Sequence, residues 1–283
     1  MSFAQTRPAS RFDLSHTALS RSATQASGEW IMRGANFVVA YANLPAGATL
    51  ERDNPDESIV YFPDGMARIE AGGNVVEFGA AATVVILPPG PSLIEMTGAG
   101  RVLRLFSSAA QDLAAMAANA DIYADGAPEV APMRPWPAPH DGFKLRHYRV
   151  EDYRDRPMRM FRSANLMINI FDFDGPRDIM ALSPHSHADF EQGSFAMGGQ
   201  WVHSLRYPWS KQLRDWREDE HLAIGSPSLL VIPATVIHTS RSTAQGGNQL
   251  VDIFSPPRRD FCDLGYVCNG AEYPVADMEG DKE

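Results

Sequence analysis

The sequence predicts an all-β protein built from two β domains, and two observations support this prediction. The chain of 283 residues contains many short runs rich in aliphatic and aromatic residues, separated by turns that contain Gly or Pro. Short strands at regular spacing are typical of sandwiches and barrels. A Pro-rich segment near the middle interrupts this pattern and divides the chain into two halves, each long enough to form a domain.

The first half begins with a polar, Ser-rich stretch. Residues 1–28 are expected to form an arm, either disordered or lent as a strand to a partner subunit. Residues 29–125 form the first predicted domain. A helix is expected within residues 107–121, where Ala and other strong helix formers are concentrated. The predicted strands of this half lie at residues 36–42, 58–62, 66–70, 75–78, 82–87 and 101–106.

Five prolines between residues 128 and 139 predict an extended and stiff linker, which we assign to residues 126–142. Residues 143–270 form the second predicted domain, and residues 271–283 form an acidic tail. The predicted strands of the second half lie at residues 143–150, 164–174, 201–207, 228–233 and 249–255.

The second half contains a group of residues suited to metal binding. His185 and His187 are two apart and would project to the same face of a strand. Glu191 would stay in phase with them, and His238 would come from another strand after a Pro-containing turn. Three imidazoles and one carboxylate suit a single divalent transition metal, namely Fe, Mn, Zn, Ni or Co. Such a set leaves open positions, as a catalytic metal requires.

These residues resemble the two sequence motifs of the cupin superfamily. The spacing of His185, His187, Glu191 and Gly198 is similar to the first motif, Gly-x5-His-x-His-x3,4-Glu-x6-Gly. The segment from Pro233 to His238 is similar to the second motif, Gly-x5-Pro-x-Gly-x2-His-x3-Asn. The chain departs from them at four places: the first Gly is missing, Thr235 replaces the turn Gly, Ser242 replaces the Asn, and the gap from Gly225 to Pro233 is longer. The resemblance implies two cupin barrels, that is, double-stranded β-helices or jelly rolls, in one chain.

The first half then resembles a degenerate cupin. Leu93 stands where the second motif has its His, and no histidine lies between Trp30 and Phe106. Asp53, Asp56 and Glu57 could supply oxygen ligands to a hard cation. The favoured interpretation is a solvated acidic loop on a domain that serves as scaffold.

His203 and Arg206 are the candidate catalytic residues, as a general acid or base and as a clamp for a substrate carboxylate. They differ by three positions, so both can face inward only if the strand contains a bulge. Asp252 is a polar residue among apolar neighbours and is a candidate to orient a ligand imidazole; an outward orientation is the alternative. Gln192 and Ser194 are expected to face away from the metal.

Two barrels with an intact site only in the second resemble the bicupin uronate isomerases, such as 5-keto-4-deoxyuronate isomerase. That resemblance implies proton transfer on a small carboxylated or polyhydroxylated substrate near a metal held by His185, His187, Glu191 and His238. Two alternatives stay open, which are an Fe(II)-dependent cupin dioxygenase and a non-catalytic sugar-binding or storage-type cupin.

Composition argues against other classes of function. The net charge of −10 disfavours non-specific binding to nucleic acid, which needs a basic surface. No apolar run has the length of a membrane span, and the first residues lack the apolar core of a secretory signal. The two cysteines are too few for a disulfide scaffold. We therefore expect a cytoplasmic protein that acts on a small molecule and leave open a homo-oligomer.

Overall fold

The structure is a computed structural model that describes residues 6–17, 21–22 and 28–276. Most of the acidic tail predicted for residues 271–283, and much of the arm predicted for residues 1–28, therefore lie outside the described residues. The described part is dominated by β-strands, with only short helical segments, which confirms the predicted all-β class.

The strands of the first half form most of two sheets. They are β1 (Ser10–Asp13), β2 (Arg21–Ser22), β3 (Gly28–Arg33), β4 (Phe37–Leu44), β5 (Thr49–Asn54), β6 (Ser58–Phe62), β7 (Met66–Ala71), β8 (Asn74–Phe78), β9 (Thr83–Leu87), β10 (Gly90–Gly98) and β11 (Gly100–Ser107). Helix α1 (Gln111–Met116) and a 3-10 turn (Ala120–Tyr123) follow, so the predicted helix is shorter than expected because β11 extends to Ser107.

The strands of the second half follow the Pro-rich linker. They are β12 (Arg146–Arg149), β13 (Arg159–Arg162), β14 (Met167–Phe173), β15 (Gln192–Gly198), β16 (Trp201–Arg206), β17 (Glu220–Ile224), β18 (Ser228–Ile232), β19 (Ile237–Ser242) and β20 (Asn248–Phe254). Helix α2 (Arg259–Asp263) and 3-10 turns at Val150–Tyr153, Leu213–Asp215 and Gly270–Glu272 complete the elements.

Each half has one large and one small antiparallel sheet. In the first half the large sheet has the order β12-β9-β6-β11-β4-β3-β2 and the small sheet β5-β10-β7-β8. In the second half the large sheet has the order β1-β18-β15-β20-β14-β13 and the small sheet β17-β16-β19. Each half is thus a jelly-roll barrel of two facing sheets.

The two large sheets pack face to face and share one core. Side chains of both sheets, such as Val39 and Tyr41 from the first half and Phe195 and Val251 from the second, belong to a single cluster of buried residues. The alternate face of each large sheet points into its own barrel. Both barrels are therefore stabilised by the same apolar interface.

The halves also exchange strands. β1, from the predicted arm, pairs with β18 of the second half, with Ser10 opposite Val231 and Asp13 opposite Ser228. β12, which opens the second half in sequence, pairs with β9 of the first half. The arm thus supplies a strand within its own chain.

The interior of the first barrel is filled with apolar side chains. Residues from six of its strands, including Leu44, Phe62, Ile69 and Met96, form one cluster. Apolar side chains fill only part of the second barrel. The rest of its interior forms the cavity described below. Among the described residues, no helix is long and apolar enough to cross a membrane.

Candidate metal centre

Backbone pairing joins the two histidine motifs. The amide of His185 donates to the carbonyl oxygen of His238 at 3.1 Å, and the amide of His238 donates back to His185 at 2.8 Å. The amide of Thr235 donates to the carbonyl of His187 at 2.6 Å. Thr235 has a φ of 70°, so it adopts the left-handed conformation that the turn Gly of the related motif would take without strain.

Three of the four predicted ligands meet at one place. The ligand atoms of His185, His187 and His238 lie within 4.8 Å of one another. The ring centroids of His185 and His238 are 4.4 Å apart, and those of His187 and His238 are 5.3 Å apart. His187 and His238 are buried and His185 is exposed, so the group can be reached from one side.

Glu191 does not join the three imidazoles, and this corrects the predicted ligand set. Its carboxylate accepts hydrogen bonds from the amide of Ala35 at 2.6 Å and from the Tyr123 hydroxyl at 3.1 Å. Both partners belong to the first half of the chain. The physical reason is strand parity, because Glu191 immediately precedes β15 and points to the face opposite that of Gln192.

Gln192 occupies the place predicted for Glu191. Its Oε1 lies 2.9 Å from Nε2 of His187 and 3.3 Å from Nε2 of His238. The expectation that Gln192 and Ser194 face away is therefore wrong. The sequence contained a signal for this, since the related motif tolerates a spacing of three or four residues and Gln192 satisfies the longer one.

A chain of hydrogen bonds fixes the orientation of the Gln192 amide. Its Nε2 donates to the Ser194 hydroxyl at 3.1 Å, and that hydroxyl donates to Oδ1 of Asp252 at 2.7 Å. Asp252 thus orients the Gln192 side chain rather than an imidazole. The amide nitrogen is held away from the histidines, which leaves its oxygen facing them.

The protonation of the imidazoles suits a bound cation. Nδ1 of His185 and Nδ1 of His238 face the carbonyl oxygens of Ser183 and Val236, each at 2.9 Å, so these nitrogens carry the protons. Burial lowers the pKa of His187 to about 3 and that of His238 to about 4, so both rings are neutral near pH 7.

The unprotonated Nε2 of His238 then faces Oε1 of Gln192, and both atoms are acceptors. Two lone pairs directed at each other repel unless a cation lies between them. Three imidazole nitrogens and one amide oxygen are acceptable ligands for a divalent transition metal. The residues present therefore fit such a metal.

His185 and His238 line a cavity of about 560 Å³ in the second barrel, and His187 lies directly beside them. Aromatic side chains form much of its wall, and Phe173 contacts both Phe171 and Trp201 there, with ring centroids 6.1 Å and 6.0 Å apart. Asp252, Arg177 and Arg258 also line the cavity. Burial raises the pKa of Asp252 to about 6.

Arg206 does not face the cavity. Its side chain is exposed and pairs with Asp219, whose Oδ1 lies 2.9 Å from Nε of Arg206. The prediction of a carboxylate clamp at this position is corrected, since β16 alternates and Arg206 lies on its outer face. Arg177 and Arg258 are the cations that line the cavity, and neither was identified from the sequence.

His203 lies on the inner face of β16, as its phase with Trp201 and Leu205 predicted. It is 1% exposed, and its Nδ1 lies 2.7 Å from the hydroxyl of Ser240, a residue that lines the cavity. Burial lowers the pKa of His203 to about 4. His203 thus lies behind the cavity wall, and Ser240 separates it from the interior.

The acidic residues of the first half have other partners. Glu57 is buried and accepts hydrogen bonds from the amide of Ala164 at 2.9 Å and from the Tyr273 hydroxyl at 3.0 Å. Asp56 accepts from Ser107 and Asn165. Among the described residues, His185, His187 and His238 form the one group of metal-ligating side chains that lie this close together.

Comparison of sequences gives no relative for this chain. No protein-family model matches it. No curated protein matches it either.

Comparison of folds gives cupin-type proteins. AerE from Microcystis aeruginosa is 9% identical with a TM-score of 0.55, over 90% of this chain and 100% of that one. The protein Ylba from E. coli is 11% identical with a TM-score of 0.59, over 91% and 94%.

A third solved structure is an oxalate decarboxylase from Bacillus subtilis studied for its Mn(II) centres. It is 13% identical with a TM-score of 0.54, over 88% of this chain and 77% of the other. These likenesses extend over both halves of the chain. The protein described here therefore has the bicupin fold, with two cupin barrels in one polypeptide.

Proposed function

We propose that this protein is a metal-dependent enzyme that acts on a small carboxylated molecule. The observation that carries the proposal is the convergence of three imidazoles, two of which face the Gln192 oxygen, beside a cavity in the second barrel. His185, His187, His238 and Gln192 would hold the metal. A divalent metal bound there would act as a Lewis acid on an oxygen of the substrate.

Two arginines support a negatively charged substrate. Arg177 is anchored by donating to the carbonyl of Ser240 and the hydroxyl of Ser183, each at 2.9 Å. Arg258 pairs with the carboxylate of Asp260 and lies over the ring of Phe261, with its guanidinium carbon 3.9 Å from the ring centroid. Guanidinium groups held in place bind carboxylates well because little freedom is lost on binding.

Proton transfer of the isomerase type is the reaction that we favour. It requires a group in the cavity that accepts a proton and returns it, and the Asp252 carboxyl lines the cavity. Asp252 is connected to Gln192 through Ser194, so a change in its protonation would reach the ligand side chain. Ser240, which contacts His203, offers a second polar group on the wall.

A cupin dioxygenase is the second candidate. The aromatic wall favours it, since Phe171, Phe173 and Trp201 suit an aromatic substrate better than a strongly polar one. In the third alternative, a non-catalytic module, the cavity binds a ligand without turnover.

One experiment separates the three. Protein stripped with a chelator is reloaded with Fe(II), Mn, Zn, Ni or Co and assayed against uronates and aromatic acids, in air and without oxygen. Turnover without oxygen supports proton transfer, and turnover that consumes oxygen with Fe(II) supports the dioxygenase. Binding without turnover under all conditions supports the non-catalytic module, and protein that retains none of the metals contradicts the proposal.

A further inference from the structure

Two adjacent strands give the cavity wall a regular arrangement. On β14, residues Asn169, Phe171 and Phe173 line the cavity, and on β20, residues Leu250, Asp252 and Phe254 do so. The register places Asn169 directly opposite Asp252, and Phe171 directly opposite Leu250. Successive pairs on one face are about 7 Å apart. The polar pair is thus flanked by apolar side chains on both sides along the strands.

Asn169 is a buried amide without adequate partners. Its side chain is 3% exposed, and its Oδ1 has no hydrogen-bond partner. Its Nδ2 reaches only the thioether sulfur of Met158, at 3.9 Å. A buried amide oxygen that is left unpaired costs about 1–3 kcal/mol, so such a group in a cavity wall is expected to be satisfied by what binds there.

The flanking side chains restrict the rest of that ligand. The rings of Phe171 and Phe173 are nearly parallel, with an interplanar angle of 6°, and Trp201 contacts Phe173 edge to face. A sugar acid carries hydroxyl groups around its whole ring, and on β14 and β20 only Asn169 and Asp252 line the cavity with polar side chains, so some of those hydroxyls would lose water without gaining partners. A planar apolar group fits this part of the wall better.

We propose that the cavity selects an aromatic carboxylic acid that carries a hydroxyl group, and that Asn169 is the residue that recognises the hydroxyl. The hydroxyl donates to Oδ1 of Asn169, beside Asp252, while the aromatic body packs on Phe171 and Phe173. This inference rests on the metal-dependent function proposed above and gives its substrate class. It favours hydroxylated aromatic acids over uronates.

Binding of matched small acids tests the inference by calorimetry on Mn-loaded protein. The probes are 3-phenylpropionate, its two hydroxylated forms 3-phenyllactate and 3-(4-hydroxyphenyl)propionate, and glucuronate. We expect at least one hydroxylated acid to bind about tenfold or more tightly than 3-phenylpropionate, since the loss of one hydrogen bond to a buried group costs about that factor. Glucuronate should bind more weakly than either hydroxylated acid.

Asn169→Leu should remove the preference for the hydroxyl and leave the binding of 3-phenylpropionate unchanged. Asn169→Ala serves as a second variant if the leucine is not tolerated. The matched control is Gln249→Leu, the same kind of change on β20, because Gln249 donates to Asp172 in an exposed position. A preference that persists in both Asn169 variants would overturn the inference and would point to chelation by the metal.

The same samples separate this inference from the proposed function. If the protein holds no metal but Asn169 still discriminates the hydroxyl, the metal-dependent function fails and the recognition stands. If the metal is retained but no hydroxylated acid is preferred, or glucuronate binds best, the recognition fails and the metal function stands.

Discussion

Glu57 and Glu191 occupy equivalent positions in the two halves, and each is bound by the opposite half. Glu57 accepts from the amide of Ala164 and the hydroxyl of Tyr273. Glu191 accepts from the amide of Ala35 and the hydroxyl of Tyr123. Burial raises the pKa of both carboxyls. The two glutamates therefore tie the barrels together reciprocally.

The same symmetry continues in two asparagines. Asn119 bonds through its side chain to both the amide and the carbonyl of Arg33, and Asn269 does the same to Arg162. The sequences around the two arginines are also alike, with Ala and Asn at the second and third positions after each. An internal repeat thus connects the halves, although only the second has kept the side chains of a metal site.

Besides the missing histidines, the residues that follow the two glutamates account for part of this difference. Gln192 follows Glu191 and faces the imidazoles, whereas Ser58 follows Glu57 and lies in a closed apolar barrel. Serine is too short to take the place of the glutamine side chain. The first half has kept the structural carboxylate and lost the ligand beside it.

Removal of one buried imidazole should abolish metal retention. We expect His238→Ala to reduce bound metal to about a tenth or less of the wild-type content, because one of the three imidazole ligands is lost. Metal analysis of protein purified without chelator measures this, and circular dichroism checks the fold. His221→Ala is the control, since His221 is exposed and contacts Ser204. Full retention of metal in His238→Ala would contradict the assignment of His238 as a metal ligand.

Substitutions at Gln192 and at Glu191 should have different effects, the first on metal binding and the second on stability. Gln192→Leu should weaken metal binding by about 10–100-fold, because it removes the oxygen that faces His187 and His238. Glu191→Gln should leave metal affinity nearly unchanged but lower the free energy of unfolding by about 1–3 kcal/mol, because it disturbs buried hydrogen bonds between the halves. Metal titration and urea unfolding measure the two effects. The reverse pattern would indicate that Glu191, and not Gln192, is the metal ligand.

Buried histidines should make the metal-free protein less stable in mild acid. Burial lowers the pKa of His187 to about 3 and the pKa values of His203 and His238 to about 4, whereas an unfolded histidine titrates at about 6.5. As the pH falls below that value, the unfolded chain binds protons that the folded protein does not, so the free energy of unfolding decreases. Asp252 has the opposite effect on stability. Burial raises its pKa to about 6, so as the pH falls the folded protein binds this proton before the unfolded chain does.

Comparison with His203→Gln isolates one of these histidines, since His203 lies behind the cavity wall. Urea unfolding at several pH values between about 7 and 5 should give a slope for the variant that is smaller by about one proton. An identical slope in both proteins would mean that the pKa of His203 is the same in the folded and the unfolded state, which would contradict its lowering by burial.

Arg258 should contribute to anion binding and Arg206 should not. Arg258→Met keeps an apolar chain on Phe254 and Phe261 and removes the charge, so we expect the binding of an aromatic carboxylate to weaken by about tenfold. Arg206→Met is the matched control and should change affinity less than about twofold, because its partner Asp219 is outside the cavity. Calorimetry on Mn-loaded protein gives both values, and equal losses would indicate only a general effect of charge.

The turn at Thr235 offers a test of backbone strain. Thr235 has a φ of 70°, and this backbone conformation is unfavourable for a β-branched residue. Thr235→Gly should therefore raise the free energy of unfolding by about 1 kcal/mol, with the metal content unchanged. Chemical denaturation measures the difference, and a destabilised variant would mean that the Thr235 side chain packs more favourably than the strain costs.

The three histidines and the barrel fold could be predicted from the sequence, although His185 and His187 lie outside the strands and are placed by an isolated bridge between His185 and His238. The fourth ligand could not be predicted, because neighbouring residues such as Glu191 and Gln192 point to opposite faces of the sheet and the motif allows either position. Asn169 needed the register of β14 against β20, and Arg258 follows the last strand in a segment without periodicity. The pairing of β1 and β12 with the opposite halves was equally inaccessible, because a strand pattern does not specify its partner.

The exchange of β1 and β12 makes the chain resemble two swapped subunits fused into one polypeptide. Cleavage in the Pro-rich linker would not release two complete barrels, since each fragment would carry a strand that belongs to the other. A fragment ending before β12 would expose the edge of β9, whose backbone groups would be free to pair with other chains. Division of the gene at this linker should therefore yield two pieces that become soluble only when they are produced together.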